Sequence, residues 1–557
     1  MHQDVTLSRV GKLLLFVAPL VSLAVSPSPS FDPINPIKAL FLSSFAFTIF
    51  GLLVSRPATT LTLLPNYVWA FSILFIVSLF ATLVMSGAPL GQQFWGTFGR
   101  NTGLLTYVSL LFLLLGSAIV QKQSFYKSLI NCLILTSLPI SLYSLIQILG
   151  MDPIEWSSKD TFATFGNTNF LSAFLGLTCV ASILLTFDKS KKSWIRVSLA
   201  LLTFGNILII LDTDSIQGFM ILIAGSILGI YLYIRGGERI SFLKYPYLAL
   251  SVSGFILSLL GVLNKGPLAS FIFQPSVIFR GDYWHAGWEM TLRRPFFGVG
   301  LDSYGDWYRE VRGSISTLRT GPERTANTAH NIFLDMSANG GFPLLIAYLG
   351  LLGSAFYLAA QFLIKNKQFD PYFGAIFCSW AAYQIQALVS INQIGVGVWG
   401  WILNGALIGY SMCHTNQLEV RMSKNKRERK AANLPASSVI LAVLTSALGF
   451  SLAYLPFSAD KNYKTALQSG NLAEMIISVD LPGSTSWHLS QVLNAAVVNN
   501  FPTQAKTLTT NMIQRYPRDP YGWKILYSLT SSTAEEREAA VSNLRKLDPF
   551  NLELPKS

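Results

Sequence analysis

The stretch GLLTYVSLLFLLLGSAIV, residues 103–120, runs for eighteen residues without a charge. As an α-helix, which rises about 1.5 Å per residue, it is long enough to cross a hydrocarbon layer about 30 Å thick. Similar runs recur along the 557-residue chain, of which 51% is hydrophobic and only 12% charged. Soluble proteins carry about a quarter charged residues. The sequence therefore predicts an all-α, polytopic membrane protein.

Thirteen apolar runs are predicted to span the membrane. They lie near residues 10–26, 37–55, 67–86, 103–120, 128–150, 169–187, 194–211, 217–234, 245–263, 341–364, 371–391, 395–412 and 437–457. The chain then divides into N-terminal membrane helices (1–263), a large loop (264–340), C-terminal membrane helices (341–457) and a tail (458–557). The first run is expected to be retained, although Ala24-Val25-Ser26 resembles a signal-peptide cleavage site.

Basic residues gather in alternate loops. One set comprises Arg9, Lys12, Arg56, Lys122, Lys127, Lys189, Lys191, Lys192, Arg196, Arg235, Arg239, Lys244, Lys365, Lys367 and the run MSKNKRERK, residues 422–430. The short loops between them hold only Lys38, Arg100 and Lys159. By the positive-inside rule, the first set and the N-terminus are cytoplasmic, and the large loop and the tail face outward from the cytoplasmic membrane. The net charge of +13 then faces phospholipid, and no nucleic-acid partner is needed.

The tail carries helical patterns near residues 461–475, 487–499, 503–515, 521–530 and 533–546. The phrases YPRDPYGWKILYSL (516–529) and AVSNLRKLDPFN (540–551) each join an aspartate-proline turn to a helix. This spacing resembles degenerate tetratricopeptide (TPR) repeats. Two interpretations stand equal: a helical cap that steadies the outer face, or a docking surface for an acceptor or a protein partner.

Within the large loop, the segment FRGDYWHAGWEMTLRRPFFGVG, residues 279–300, predicts a helix that a proline ends. Arg280, Trp284 and Trp288 are spaced four apart and share one helical face. Residues 301–312 predict a second, aromatic-rich helix. Aromatic residues also favour the membrane interface, but so many of them indicate an ordered loop.

Residues 264–329 of this loop contain eight basic residues, of which seven are arginine, and six acidic ones. Arginine presents a rigid, permanently charged fork that matches phosphate oxygens two at a time. The cluster therefore suits a pyrophosphate at the level of the lipid headgroups. For any single arginine a surface salt bridge is the alternative. Arg280 is the exception, and is favoured as a phosphate ligand, because it shares a helical face with Trp284 and Trp288.

One of only five histidines lies in TAHNIFLDMSANGG, residues 328–341. Thr328 is expected to cap a short helix there and Gly340 to end it. His330 would then lie in the first turn, where the helix dipole keeps its imidazole neutral. A neutral imidazole can take a proton from an attacking hydroxyl. The alternative is a histidine that only satisfies a helix end or an interface hydrogen bond.

These motifs, in this order, resemble the O-antigen ligase and O-antigen polymerase superfamily. The matching patterns are R-x-x-x-W at residues 280–284, P-x-x-G-x-G at 295–300, A-H-N at 329–331 and G-G at 340–341. The stretches FWGTFGRNTGLLTY (94–107) and FGNTNFLSAF (165–174) fit as well. The resemblance covers roughly residues 10–412. It implies a GT-C-like helical fold and glycosyl transfer from a polyprenyl-pyrophosphate-linked glycan to an acceptor hydroxyl, without metal or cofactor.

The resemblance also implies roles for individual residues. His330 would activate or orient the acceptor, and Arg280 would grip the pyrophosphate. Further pyrophosphate ligands would be Arg100, Arg293 and Arg294. Contacts to acceptor or sugar would come from Asn331, Trp284, Asn167 and Asn169. In TDSIQG, residues 213–218, the chain departs from a serine-arginine pair that is frequent in the superfamily. Either Arg100 or an arginine of the large loop supplies that charge, or the donor site differs.

The acceptor stays open at this level. A ligase uses a lipid-anchored core sugar, as in lipopolysaccharide, a polymerase uses a second lipid-linked repeat, and a protein glycosylase uses a hydroxyl side chain. A transporter or flippase of lipid-linked glycans is the alternative from another class, but paired half-chain repeats and intramembrane charges are not evident. A membrane scaffold whose tail recruits partners would leave Arg280 and His330 unexplained.

Overall fold

A computed structural model of the chain describes residues 5–420 and 435–554, and this part of the chain is all-α, as predicted. Helices are numbered in chain order. The long apolar ones are α1 (Val5–Leu23), α2 (Asn35–Val54), α4 (Asn66–Met85), α6 (Leu104–Ile119), α7 (Gln123–Ile148), α8 (Thr168–Thr186), α9 (Ser193–Asp212), α10 (Ile216–Gly236), α11 (Lys244–Val262), α16 (Ile332–Lys365), α17 (Pro371–Ala387), α18 (Ile394–Val420) and α19 (Ala436–Ser469).

Each of the thirteen predicted spans falls on one of these helices. Among the described residues, eleven helices are long and apolar enough to cross a membrane, and α6 and α17 are shorter, with 16 and 17 residues. The basic run 422–430 lies outside the described residues. The chain is therefore a multi-pass helical membrane protein.

The centre of the bundle is α6, which is buried on every side. Glycines let α18 cross close to it: a Cβ on Gly405 would lie 2.0 Å from the carbonyl oxygen of Leu114, and one on Gly409 would lie 2.6 Å from the carbonyl oxygen of Ala118. Small residues are the usual means of close helix packing in membranes, where no water drives helices together. The peripheral helix α11 instead exposes most of its apolar side chains.

Shorter helices lie outside this bundle. Between the long helices are α3 (Pro57–Leu61), α5 (Leu90–Trp95), a 3-10 turn at Ser241–Leu243, α12 (Ala269–Ile272), α13 (Pro275–Arg293), α14 (Tyr304–Val311) and α15 (Ser314–Thr320). The tail folds as α20 (Leu472–Val479), α21 (Ser486–Val498), α22 (Pro502–Arg515), α23 (Pro520–Ser528) and α24 (Ala534–Leu547). The predicted helix at 461–475 was wrong in its bounds, because α19 runs on to Ser469 and Gly470, in the left-handed conformation, ends it. The TPR assignment stays a prediction.

The large loop, the tail and the loops 24–34, 86–103, 149–167 and 388–393 meet at one end of the bundle, which we call the loop face. Basic side chains lie at the other end, where Lys191 donates to the hydroxyl of Tyr372 and Arg235 to the carbonyl of Leu363. This separation agrees with the alternation read from the sequence. The assignment of the loop face to the outer side stays a prediction.

Candidate functional site

The large loop folds around its own apolar core, as its aromatic content predicted. The core consists of Ala286, Met290, Val299, Tyr304, Tyr308, Val311, Ala326, Ala329 and Ala338. Two of the predicted helices, α13 and α14, supply five of these residues, and the start of α16 supplies another. The segment that carries His330 therefore lies on a packed platform, not on a free loop.

A kink in α16 shapes this platform. Gly341 adopts φ 72°, a left-handed conformation that favours glycine, and Pro343 has no N–H to give to the helix. The carbonyls of Ala338 and Asn339 therefore lose their helical partners. The helix was expected to end at Gly340, and it breaks one residue later, at Gly341.

The P-x-x-G-x-G motif fills the gap left by the kink. The amides of Val299 and Gly300 donate to the two freed carbonyls at 2.8 and 3.1 Å, and the amide of Phe342 donates to the carbonyl of Pro295 at 2.7 Å. A Cβ on Gly298 would lie 2.3 Å from the backbone of the kink. The motif thus fixes α13 against α16, because only glycine permits so close a backbone approach.

His330 lies just before α16, with φ 50°. Its amide donates to Thr328 Oγ1 at 3.1 Å, and Asn331 Oδ1 accepts from the amides of Phe333 and Leu334 at 3.0 and 3.2 Å. The helix cap is therefore Asn331, and the expectation that Thr328 caps it with His330 in the first turn was wrong. A left-handed residue other than glycine is strained, and such strain is held in place by the structure around it.

The imidazole of His330 is half-buried and lies over the ring of Tyr283, with 5.4 Å between ring centroids. Neither of its ring nitrogens is hydrogen-bonded to any residue that the structure describes. Burial, and then the charges of Arg100 and Arg280, lower its pKa from 6.5 to about 4. The predicted neutral state follows from these causes, and both nitrogens are left for a substrate.

Arg280 comes from α13, on the predicted helical face. Its Nε donates to the carbonyl of Val389 at 3.1 Å and one Nη donates to the carbonyl of Ser276 at 3.0 Å. It forms no ion pair within residues 5–420 and 435–554. Burial lowers the pKa of Arg280, but a guanidinium stays charged in proteins. The guanidinium is thus held by two neutral backbone carbonyls and keeps its positive charge.

Arg100 reaches the same site from the loop between α5 and α6. Its guanidinium forms no hydrogen bond or ion pair with the described residues, although the charges of Asp302 and Asp335 act on it. Asp302 is hydrogen-bonded to another residue: its Oδ2 accepts from the amide of Thr97 at 2.7 Å. Burial raises the pKa of Asp302 and the charge of Arg100 lowers it. Two arginines that form no ion pair with the described residues therefore lower the pKa of His330 by their charge.

Asp335 was missed by the sequence analysis. It is buried, and its Oδ1 accepts from the amide of Ala329 at 2.8 Å, which ties the first turn of α16 to the residue before His330. Tyr283 was also missed. The available signal for Asp335 was an acidic residue four positions after Asn331, which falls in the first turn of α16.

Three other predicted residues have other contacts. Arg293 is exposed and pairs with Glu310 at 3.1 Å, and the guanidinium of Arg294 lies 5.3 Å from the ring centre of Trp307. Trp284 packs in the loop core, with no hydrogen-bond partner for its Nε1 among the described residues. The structure thus gives Arg293 and Arg294 partners within the loop.

The asparagines before α8 form a separate polar group on the loop face. Asn167 is exposed and caps α8 by accepting from the amide of Asn169, whose own Oδ1 accepts from Ser215 Oγ at 2.8 Å. Next to it, Gln217 is buried and accepts from Gln386 at 3.3 Å. A bonded glutamine thus occupies the position where the resemblance led us to expect an arginine.

The fold and the site define a class: a multi-pass helical membrane protein that has, at one end of its bundle, a neutral histidine whose pKa is lowered by burial and by the charges of two arginines. Residues 162–349 match the family model described as O-antigen ligase, so the chain carries an O-antigen ligase domain. The matched segment contains Arg280 and His330 but not Arg100. A search of curated proteins found no match. The family match supports a membrane-embedded, glycosyltransferase-like function in surface polysaccharide assembly.

Proposed function

We propose that this protein transfers a glycan from a polyprenyl pyrophosphate to an acceptor hydroxyl at the outer face of the cytoplasmic membrane. The observation that carries the proposal is the pairing of a neutral His330, with both ring nitrogens unbonded to described residues, with Arg100 and Arg280, which have no ion pair there. A base for the acceptor and a charge clamp for the leaving group are the two needs of this reaction.

In the proposed step, the acceptor oxygen forms a bond to the anomeric carbon of the donor sugar. The bond from that carbon to the pyrophosphate oxygen breaks, and its electron pair leaves with the polyprenyl pyrophosphate. His330 takes the acceptor proton and later returns it to water. Arg280 and Arg100 hold the charge that grows on the pyrophosphate, so no metal ion is required in this mechanism.

Donor binding would also strengthen the base. In the free protein the two arginines disfavour a protonated His330 and help to lower its pKa to about 4. A pyrophosphate between them would offset their charge and raise that pKa towards the value suited to proton transfer near neutral pH. The base would thus become competent when the donor is in place.

The test uses purified full-length protein with a polyprenyl-pyrophosphate glycan and candidate acceptors in detergent, with and without a chelator. We expect release of polyprenyl pyrophosphate in both conditions. His330→Ala and Arg280→Ala should each lower the rate at least about 100-fold, by loss of the base or of charge stabilisation. His285→Ala is the matched control, because this exposed histidine lies on α13 and has no role in the site.

The labelled product identifies the acceptor as a lipid-anchored sugar, a second lipid-linked repeat or a protein hydroxyl. Release that persists in His330→Ala at the wild-type rate would contradict the base role. A wild-type protein that releases nothing with any acceptor, but moves the lipid-linked glycan across vesicles, would replace the proposal with a flippase.

A further inference from the structure

The tail reaches the loop that carries Arg100. The ring of Trp487, at the start of α21, lies parallel to the ring of Phe98, with 3.9 Å between centroids and 8° between planes. Phe98 precedes Arg100 by two residues. Phe31 also approaches both rings, at 6.1 Å from Phe98 and 5.1 Å from Trp487. The side chain of Phe98 is thus held between the first loop of the chain and its tail.

The backbone around Phe98 forms a turn, in which the amides of Arg100 and Asn101 both donate to the carbonyl of Thr97, at 3.2 and 3.1 Å. The amide of Thr97 donates to Asp302, and Asn35 Nδ2 donates to the carbonyl of Gly99 at 2.9 Å. Gly99 adopts φ 76°, and nothing lies within 4 Å of where its Cβ would be. The guanidinium of Arg100 adds no anchor of its own among the described residues. The stack of Trp487 on Phe98 is therefore the aromatic contact by which the tail holds this turn.

Trp487 is itself rigidly placed. Its neighbour His488 completes a capping box with Thr485, and His488 Nε2 lies 3.2 Å from a carboxylate oxygen of Asp460. The other oxygen of Asp460 accepts from the amides of Phe31 and Asp32 at 2.6 and 3.0 Å. A buried network thus joins α19, α21 and the first loop of the chain, and it carries the indole.

We propose that Trp487 is a positioning residue that acts on the donor through Phe98 and Arg100. The tail would then be part of the donor site, because it packs on the turn that carries a proposed phosphate ligand. The inference rests on the proposed function only for the role of Arg100 as a pyrophosphate ligand. Because the positioning role does not depend on glycosyl transfer, a measurement of polyprenyl-pyrophosphate binding tests it directly.

The experiment measures the Kd of glycan-free polyprenyl pyrophosphate for the full-length protein in detergent. Arg100→Ala and Trp487→Ala should each weaken binding about 10-fold, because a ligand displaced by about an ångström loses most of its effect. In the double variant, the Trp487 change should add nothing to Arg100→Ala, since coupled residues are not additive. Phe98→Ala should match Trp487→Ala, and Trp487→Phe should restore binding because it keeps a ring on Phe98.

Trp523→Ala is the matched control, because the indole of this tail tryptophan donates to the carbonyl of Pro517, which is also in the tail. The Kd of this variant for polyprenyl pyrophosphate should equal that of the wild type. If Trp487→Ala binds as the wild type does while Arg100→Ala does not, or if the two effects add, the positioning role is overturned and the proposed function stands. If Arg100→Ala itself binds normally, Arg100 is no phosphate ligand, and both the clamp and this inference fail.

Discussion

The ring of His330 lies over the ring of Tyr283 with 29° between their planes. Tyr283 is fixed in turn, because its carbonyl accepts from the hydroxyl of the fully buried Tyr304 at 2.6 Å. The candidate base is therefore oriented by aromatic packing in the loop core, and no carboxylate among the described residues is bonded to its ring. Its ionisation then depends on burial and on the two arginines.

The first prediction concerns pH. Because the pKa of His330 is lowered to about 4 in the free protein, the imidazole is neutral above that pH. We expect kcat/KM for the donor, which reports the free enzyme, to stay level from neutral pH down to about pH 5 and to fall only near pH 4. A pH profile of initial rates measures this, and a fall centred near 6.5 would contradict it.

Arg280→Gln tests the cause of that shift. The change removes a positive charge near His330, so the protonated imidazole is less disfavoured and the pKa rises. The acid limb of the remaining activity should move to higher pH. Arg319→Gln, which removes the exposed partner of Asp282, should leave the limb where it is.

The second prediction concerns Tyr283. Tyr283→Phe keeps the ring under His330, and its activity should stay within about 2-fold of the wild type because the contact is one of ring packing. Tyr283→Ala removes that support and should lower kcat about 10-fold, with little change in the Kd of polyprenyl pyrophosphate. Equal loss in both variants would instead indicate a role for the phenol hydroxyl.

The third prediction concerns the kink. At Gly341 a Cβ would lie 2.6 Å from the carbonyl oxygen of Pro295, and φ is 72°. Gly341→Ala should destabilise the protein by at least about 2 kcal/mol, through strain and this clash, and should abolish activity. Gly353→Ala in the same helix is the control, since nothing lies within 4 Å of its Cβ position. Thermal unfolding in detergent compares the two, and equal midpoints would refute the argument.

Much of the fold was predictable because hydrophobic length and loop charge are local signals. The thirteen spans follow from uncharged runs such as residues 103–120, and the α13 face of Arg280 follows from its spacing. The cap at Asn331 was missed because Thr328 and Asn331 both offer a side-chain oxygen that can cap a helix, and the sequence does not show which of them does. Tyr283 reaches His330 only through tertiary packing, which spacing does not encode.

The contacts of the tail were equally beyond the sequence. Helical patterns located α21 to α24, but nothing in Trp487 or Asp548 indicates which loop it meets. Residues far apart in the chain, such as Arg312 and Asp548, have no shared periodicity. Their pairing follows only once the large loop and the tail occupy the same face of the bundle.

The last prediction concerns this pairing. Arg312 is almost fully buried at the end of α14, and its guanidinium contacts both carboxylate oxygens of Asp548 at 2.7 and 2.9 Å. Asp548→Ala would leave that charge buried without its partner, so we expect a loss of about 3 kcal/mol. Asp480→Ala breaks an exposed pair with Arg515 and should cost less than about 1 kcal/mol.

Thermal unfolding and limited proteolysis measure the difference between the two aspartate variants. In Asp548→Ala we expect a lower unfolding midpoint and faster cleavage between residues 313 and 327, because Arg312 also donates to the carbonyls of Pro322 and Arg324 and orders that segment. Asp480→Ala should be cut as slowly as the wild type. If both variants behave alike, the buried pair does not hold the large loop to the tail, and the loop core alone keeps His330 in place.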